Sequence, residues 1–111
     1  MELARLDRSG RLSMRAVLRH LAWRPGHRVD IDVVDGAILV VSTFDGTHRV
    51  GSRGDLALPA AARALCGLNI EDAALVVAAY PMAGVVLAHP AAVVARYLHQ
   101  LHQSLRVGHG G

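Results

Sequence analysis

Residues 5–22 run Arg5-Leu6-Asp7-Arg8-Ser9-Gly10-Arg11-Leu12-Ser13-Met14-Arg15-Ala16-Val17-Leu18-Arg19-His20-Leu21-Ala22. Residues 49–67 run Arg49-Val50-Gly51-Ser52-Arg53-Gly54-Asp55-Leu56-Ala57-Leu58-Pro59-Ala60-Ala61-Ala62-Arg63-Ala64-Leu65-Cys66-Gly67. Setting Gly10 on Gly54, an offset of 44, pairs Arg5 with Arg49, Leu12 with Leu56, Met14 with Leu58 and Arg19 with Arg63. Beyond the helix the offset is 45, which pairs Ala22 with Gly67 and Trp23 with Leu68 and assigns one extra helical residue to the second copy. A supersecondary unit that occurs twice signals that one copy cannot bury its apolar face alone. A two-part core with pseudo-two-fold symmetry is therefore expected.

Each copy reads as strand, turn, strand, helix, turn and hairpin. Asp7 to Gly10 is a turn by composition, and Gly10 is free to take positive φ. Leu12 and Met14 alternate with polar neighbours, as on a strand with one buried face. Arg15 to Leu21 reads as a short helix with Ala16/Val17, Leu18 and Leu21 inward and Arg15 and Arg19 outward. Arg24-Pro25-Gly26-His27 has the residues of a type II turn. Val29 to Val33 alternates strictly, Asp35-Gly36 is a hairpin signal, and Ala37–Val41 returns. Thr43 to Thr47 is a compact joint to the second copy. There Leu56 and Leu58 repeat the buried alternation, Pro59 takes the first helical position, and Ala60–Cys66 is the helix. Ala74–Ala79 and Val85–Ala88 form a more apolar hairpin. Pro90 opens a segment without a counterpart, in which Val94, Leu98, Leu101 and Leu105 fall at helical spacing.

The chain has 111 residues, 52% of them apolar, enough for one folded unit with a real core. Trp23, Phe44, Tyr80 and Tyr97 are its only aromatic residues, so that core is aliphatic. All 12 basic residues are arginine. Residues 5–28 hold seven arginines and one acid, a net of +6, whereas residues 30–45 hold four aspartates and no arginine, a net of −4. A basic front of this kind suits an anionic partner. Cys66 is the sole cysteine, which excludes an intrachain disulfide and reads as buried packing. No stretch reads as a signal peptide or a membrane span, so a cytoplasmic protein is expected.

The ordered set Asp7-x-x-Gly10-Arg11, Leu12/Met14, Leu18-Arg19-His20-Leu21, Pro25-Gly26 and Val29–Val41 resembles the AbrB/MazE/SpoVT swapped-hairpin family. The second copy resembles it through Gly54, Leu56-Ala57-Leu58-Pro59, Arg63, Gly67-Leu68 and Val76–Leu87. The likeness covers about residues 3–89 and implies a mainly β fold with short helices, in which two units interlock their hairpins into one small barrel. Most members use two chains for this; here one chain would supply both units, 1–43 and 44–89, folding together. A C-terminal amphipathic helix (90–107) and a flexible tail (108–111) follow.

The family is known for DNA-binding regulators and antitoxins. The resemblance implies DNA contacts by Arg5, Arg11 and Arg19 in copy one and by Arg49 and Arg63 in copy two. Arg8 and Arg53 lie in the matching turns, and Arg15 stands where the family usually has proline, on a helix read as shortened. Copy two departs further: Gly51 replaces Asp7, and Asp55 replaces the turn arginine. A lopsided face follows, stronger on the first copy. The expected function is a transcriptional regulator that binds double-stranded DNA, with an antitoxin or interaction scaffold of the same fold as the alternative.

The C-terminal helix has two readings. Either it packs across the barrel, or it docks a second copy or a protein partner. Residues 73–111 contain no acid and two arginines, Arg96 and Arg106, which argues against an acidic toxin clamp. Trp23 matches an apolar family position and is expected in the core rather than as a base-stacking platform. His99, His102 and His109 lack the companions of a usual zinc site, so no metal or other cofactor is expected. His20 and His27 lie in the basic region. No nucleophile–base pair, paired carboxylates or complete phosphate loop appears, so catalysis is not expected.

Overall fold

The computed structural model describes residues 1–69 and 73–109, with side chains to residue 106. The fold is mainly β: one curled six-stranded antiparallel sheet, a two-stranded ribbon, two short helices and a long C-terminal helix. The first half contributes β1 (Glu2–Arg5), β2 (Arg11–Ser13), α1 (Arg15–Leu21), β3 (Arg28–Val34) and β4 (Ala37–Ser42). The second contributes β5 (His48–Arg49), β6 (Asp55–Ala57), α2 (Ala60–Leu65), β7 (Ala74–Tyr80) and β8 (Val85–Pro90). The helix α3 (Ala91–His109) closes the chain.

The sheet order is β1-β7-β8-β4-β3-β5. When each second-half strand is exchanged for its first-half counterpart, that order reads the same from either end. The first strand of each half is hydrogen-bonded to the hairpin of the other: β1 to β7 and β5 to β3. The two hairpins meet along β4 and β8, with Leu39 opposite Leu87. The ribbon joins β2 to β6, with Leu12 opposite Leu56. These two leucine pairs are counterparts in the two halves, so a pseudo-two-fold axis runs between them.

The backbone outside the strands follows the same symmetry. Met14 N donates to Gly54 O (2.9 Å), and Leu58 N donates to Gly10 O (3.0 Å). Leu6 N donates to Ala73 O (2.9 Å), and Val50 N donates to His27 O (3.0 Å). Gly10 and Gly54 have φ of 81° and 73°, which only glycine adopts without strain. The αL residues that close the helices, Ala22 (φ 56°) and Gly67 (φ 66°), are the pair given by the offset of 45.

Alternation decides the core. Leu12, Met14, Leu56 and Leu58 are all buried, while the intervening Ser13 and Ala57 are exposed. Val29, Ile38, Val40, Leu75, Val77 and Val86 complete an aliphatic interior against the sheet. Trp23 is buried in this cluster and stacks on His27 (centroids 4.9 Å apart, planes 7° apart), as its apolar position implied. Cys66 is buried too, and burial pushes its thiol pKa up. The Asp35-Gly36 turn has positive φ at both residues (51° and 76°), the type I′ geometry that suits a twisted hairpin.

Several expectations need correction. Pro59 lies outside the helix with ψ 143°, so α2 begins at Ala60. A proline ring presets φ but leaves ψ free for the entry turn. The extra residue of the second copy is Pro59, at the entry to α2 rather than in regular helix: the N-cap residues Met14 and Pro59 and the buried Val17 and Ala62 already stand 45 apart; α2 has six residues and α1 has seven, so the first helix is not the shortened one. Pro90 is the last residue of β8, and α3 begins one residue later. The backbone of Gly108 and His109 continues α3, where a tail was expected to start at 108. Residues 110–111 and the His109 side chain lie outside the described residues.

The reading of α3 as a cover across the body also fails over most of its length. Val93 and Val94 are half-buried near the sheet, but Tyr97 (69% exposed), Leu98, Leu101 and Leu105 lie open to solvent. The stripe that periodicity marks is real, and nothing among the described residues covers it.

Candidate nucleic-acid interface

The β2–β6 ribbon presents Leu12 and Leu56 to the core, so its other face, carrying Arg11, Ser13, Asp55 and Ala57, turns outward. A turn leads into each strand from its own half. The two turns flank a concavity of about 450 Å³ lined by Asp7, Ser9 and Arg11 on one side and Ser52, Arg53 and Asp55 on the other.

The first turn is held by a carboxylate. Asp7 Oδ1 accepts from Ser9 N (2.9 Å), Ser9 Oγ (2.7 Å) and Arg11 N (2.9 Å). The Arg11 and Ser9 bonds hold the Asp7 pKa below the usual carboxylate range. Arg11 is thus fixed by its own backbone at the start of β2. Its guanidinium reaches across the pseudo-axis, Nη1 to Asp55 Oδ2 at 3.4 Å. The residue that replaces the second turn's arginine therefore sits on the first turn's arginine.

The second turn has the same backbone and no carboxylate at the matching place. Gly51 N donates to Asp55 O (2.8 Å) as Asp7 N donates to Arg11 O (3.0 Å). A Cβ at residue 51 would run into the Asp55 carboxylate, which folds over the space a side chain there would fill.

The helices add arginines crosswise. Arg15 opens α1 and lies against Gly54 of the opposite turn, and Arg63 of α2 lies against Gly10. Arg63 is half-buried and its Nε donates to Leu58 O (3.2 Å), so it braces the ribbon with part of its guanidinium committed. Arg19 is exposed on α1, and Arg8 and Arg53 are exposed at the turns. Arg5 and Arg49 are exposed at the ends of β1 and β5, where each strand leads into its turn. The ribbon and its turns thus gather Arg11, Arg15, Arg53 and Arg63, whereas Arg5 and Arg49 flank them on opposite sheet edges. His27 is anchored to the body by Trp23 and by a 2.7 Å contact from Nε2 to Ser42 Oγ, so it is not part of the open basic surface.

Sequence reasoning missed Arg28. It opens β3 directly opposite Arg49. Its place on the Asp30/Asp32 face was readable from the alternation, but its neighbour was not, because the β3–β5 contact is non-local.

Among the described residues no group of three or more His, Cys, Asp or Glu side chains could hold a metal ion, and no helix is long and apolar enough to cross a membrane. Comparison with known protein families, curated proteins and solved structures finds no match.

Proposed function

We propose that this chain is a DNA-binding transcriptional regulator, built as a single-chain swapped-hairpin unit of the AbrB/MazE/SpoVT kind. The observation that carries the reading is the ribbon: two symmetry-related arginine-bearing turns flank one outward face, braced from behind by Arg15 and Arg63. The exchange of first strands between hairpins supports the architecture. Arg11 and Arg19 are the central contacts, and Arg5, Arg8 and Arg15 position the DNA backbone. Arg49, Arg53 and Arg63 extend the face on the second half. Phosphate contacts supply most of the affinity, and one or two arginines at base edges supply the specificity.

Fluorescence anisotropy on a duplex from the protein's own promoter tests this. About five phosphate contacts give a log–log salt slope near −4 to −5. Arg11→Ala weakens binding by about 1–3 kcal/mol if Arg11 reads a base. Equal binding by both proteins removes Arg11 from the site, and no salt-dependent binding by the wild type removes the function.

A second reading, an interaction module, has its own observation in the exposed face of α3. Leu98, Leu101 and Leu105 with Val94 follow the 4-3-4 spacing of a coiled-coil seam, and Arg96 lies on the opposite side of the helix. A second copy of α3 matches such a seam, which would join two ribbons in one dimer. Sedimentation of the wild type against Leu98→Glu/Leu101→Glu distinguishes a dimer that dissociates from a monomer in both cases.

A further inference from the structure

We propose that Arg28 and Arg49 form a phosphate-binding site, at which the backbone of bound DNA is gripped on the flank of the ribbon. The inference rests on the DNA-binding reading and assigns it a contact that the repeat pattern does not contain.

The two residues are direct cross-strand partners on β3 and β5. Their side chains therefore leave the sheet on the same side, with Cβ atoms about 4.5–5.5 Å apart. Both are exposed, and neither guanidinium has an ion-pair or hydrogen-bond partner among the described residues. Like charges placed directly opposite destabilise a sheet. Asp30, two residues along β3 on that face, accepts instead from Thr47 N (3.2 Å) and Thr47 Oγ1 (3.5 Å). An anion between two guanidinium forks reverses the repulsion, and a phosphodiester fits their bidentate geometry.

The place of the pair supports DNA as the source of that anion. Gly26 N donates to Val50 O (2.7 Å) and Val50 N to His27 O (3.0 Å). These bonds pin the segment that ends in Arg28 beside the strand that enters the second turn. The first half thereby lends a cation to the flank of the second half, whose own ribbon arginine is replaced by Asp55. On the other flank Arg5 faces Ala74, so the symmetric position carries no such pair. The charge lost at residue 55 is returned at residue 28 by the crossing of the chain.

The test is anisotropy with a random-sequence duplex and with the promoter duplex, across a salt series, for wild type, Arg28→Ala, Arg28→Lys and Arg49→Ala. Arg28→Ala should make the salt slope less negative by about 0.9 and weaken both duplexes alike. Arg28→Lys should keep the slope, and Arg49→Ala should match Arg28→Ala. The melting temperature of Arg28→Ala should stay level or rise at low salt, since a repulsion is removed; a clear fall would make the residue structural and overturn the site. An unchanged slope for Arg28→Ala, with Arg11→Ala still weakening binding, overturns this inference and leaves the proposed function standing. No salt-dependent DNA binding by the wild type overturns both. Stabilisation by inorganic phosphate at constant ionic strength, abolished by Arg28→Ala while DNA slopes do not move, would assign the site to a free anion and overturn the DNA contact.

Discussion

The turn from Asp7 to Arg11 and the turn from Gly51 to Asp55 have one backbone and two chemistries. Each closes on itself through the same hydrogen bond, 3.0 Å in the first and 2.8 Å in the second, and each places a positive-φ glycine one residue before its strand. The first is locked by a carboxylate and ends in a cation; the second has no side chain at the matching position and ends in an anion. Shape in this ribbon is set by glycine and by cross-half backbone bonding, and charge is free to diverge. The halves are nevertheless not electrically independent. The pseudo-axis brings residues 11 and 55 together, so the anion of one turn holds the cation of the other.

The largest effects test the shared part of the comparison. Leu12 and Leu56 face each other at the ribbon centre, 0% and 1% exposed. Leu12→Ala and Leu56→Ala should each cost about 2–5 kcal/mol in urea denaturation, by similar amounts, because both empty the same layer of core. A strongly unequal pair would show that one half folds without the other and would break the symmetry argument. Gly46→Ala belongs in the same range, about 3 kcal/mol. A Cβ there meets the Val29 backbone, which cannot move without disturbing β3.

The next effect sharpens the electrical difference. Asp55→Asn removes the partner of Arg11 with little change in volume. Its effect on stability should be under about 1 kcal/mol, because both side chains keep access to water (46% and 23% exposed) and such pairs contribute little. Its effect on DNA affinity should be larger and opposite in sign, since Arg11 is released and an anion leaves the face. Titration of the promoter duplex at low salt checks this; weaker binding by Asp55→Asn would mean that Asp55 positions Arg11 productively.

The parts of this molecule that sequence makes legible are local or periodic. Alternation at Leu12/Met14 and Leu56/Leu58 marks the buried face, the offset of the repeats pairs Ala22 with Gly67 before any dihedral is known, and Asp35-Gly36 announces its turn. Non-local facts are not legible. Nothing near Arg28 indicates that β5 will lie beside it, and nothing near Asp55 indicates that Arg11 will reach it. Both follow from strand pairing between distant parts of the chain, β2 with β6 and β3 with β5. The same limit applies to α3: its spacing marks an apolar stripe, but whether that stripe is covered depends on the direction in which the helix leaves β8.

The smallest effect concerns the lock itself. Asp7 accepts three hydrogen bonds in its ionised form, and these lower its pKa in the folded protein. A carboxylate with a depressed folded pKa stabilises the fold fully above its unfolded value, about 3.9, and the contribution is lost as pH falls through the folded value. The first turn should therefore loosen in acid below about pH 4. Position 51 carries no carboxylate, so the second turn lacks this source of acid sensitivity. Amide exchange reads the two turns separately: between neutral pH and pH about 3, protection at Ser9 and Arg11, corrected for intrinsic rates, should fall relative to Gly54. In Asp7→Asn the pH-dependent part should vanish while the turn keeps its shape, because the amide oxygen still accepts from Ser9 and Arg11 and Gly10 still supplies its positive φ. If both turns lose protection together, the ribbon opens as one unit, and the two turns differ in charge but not in stability.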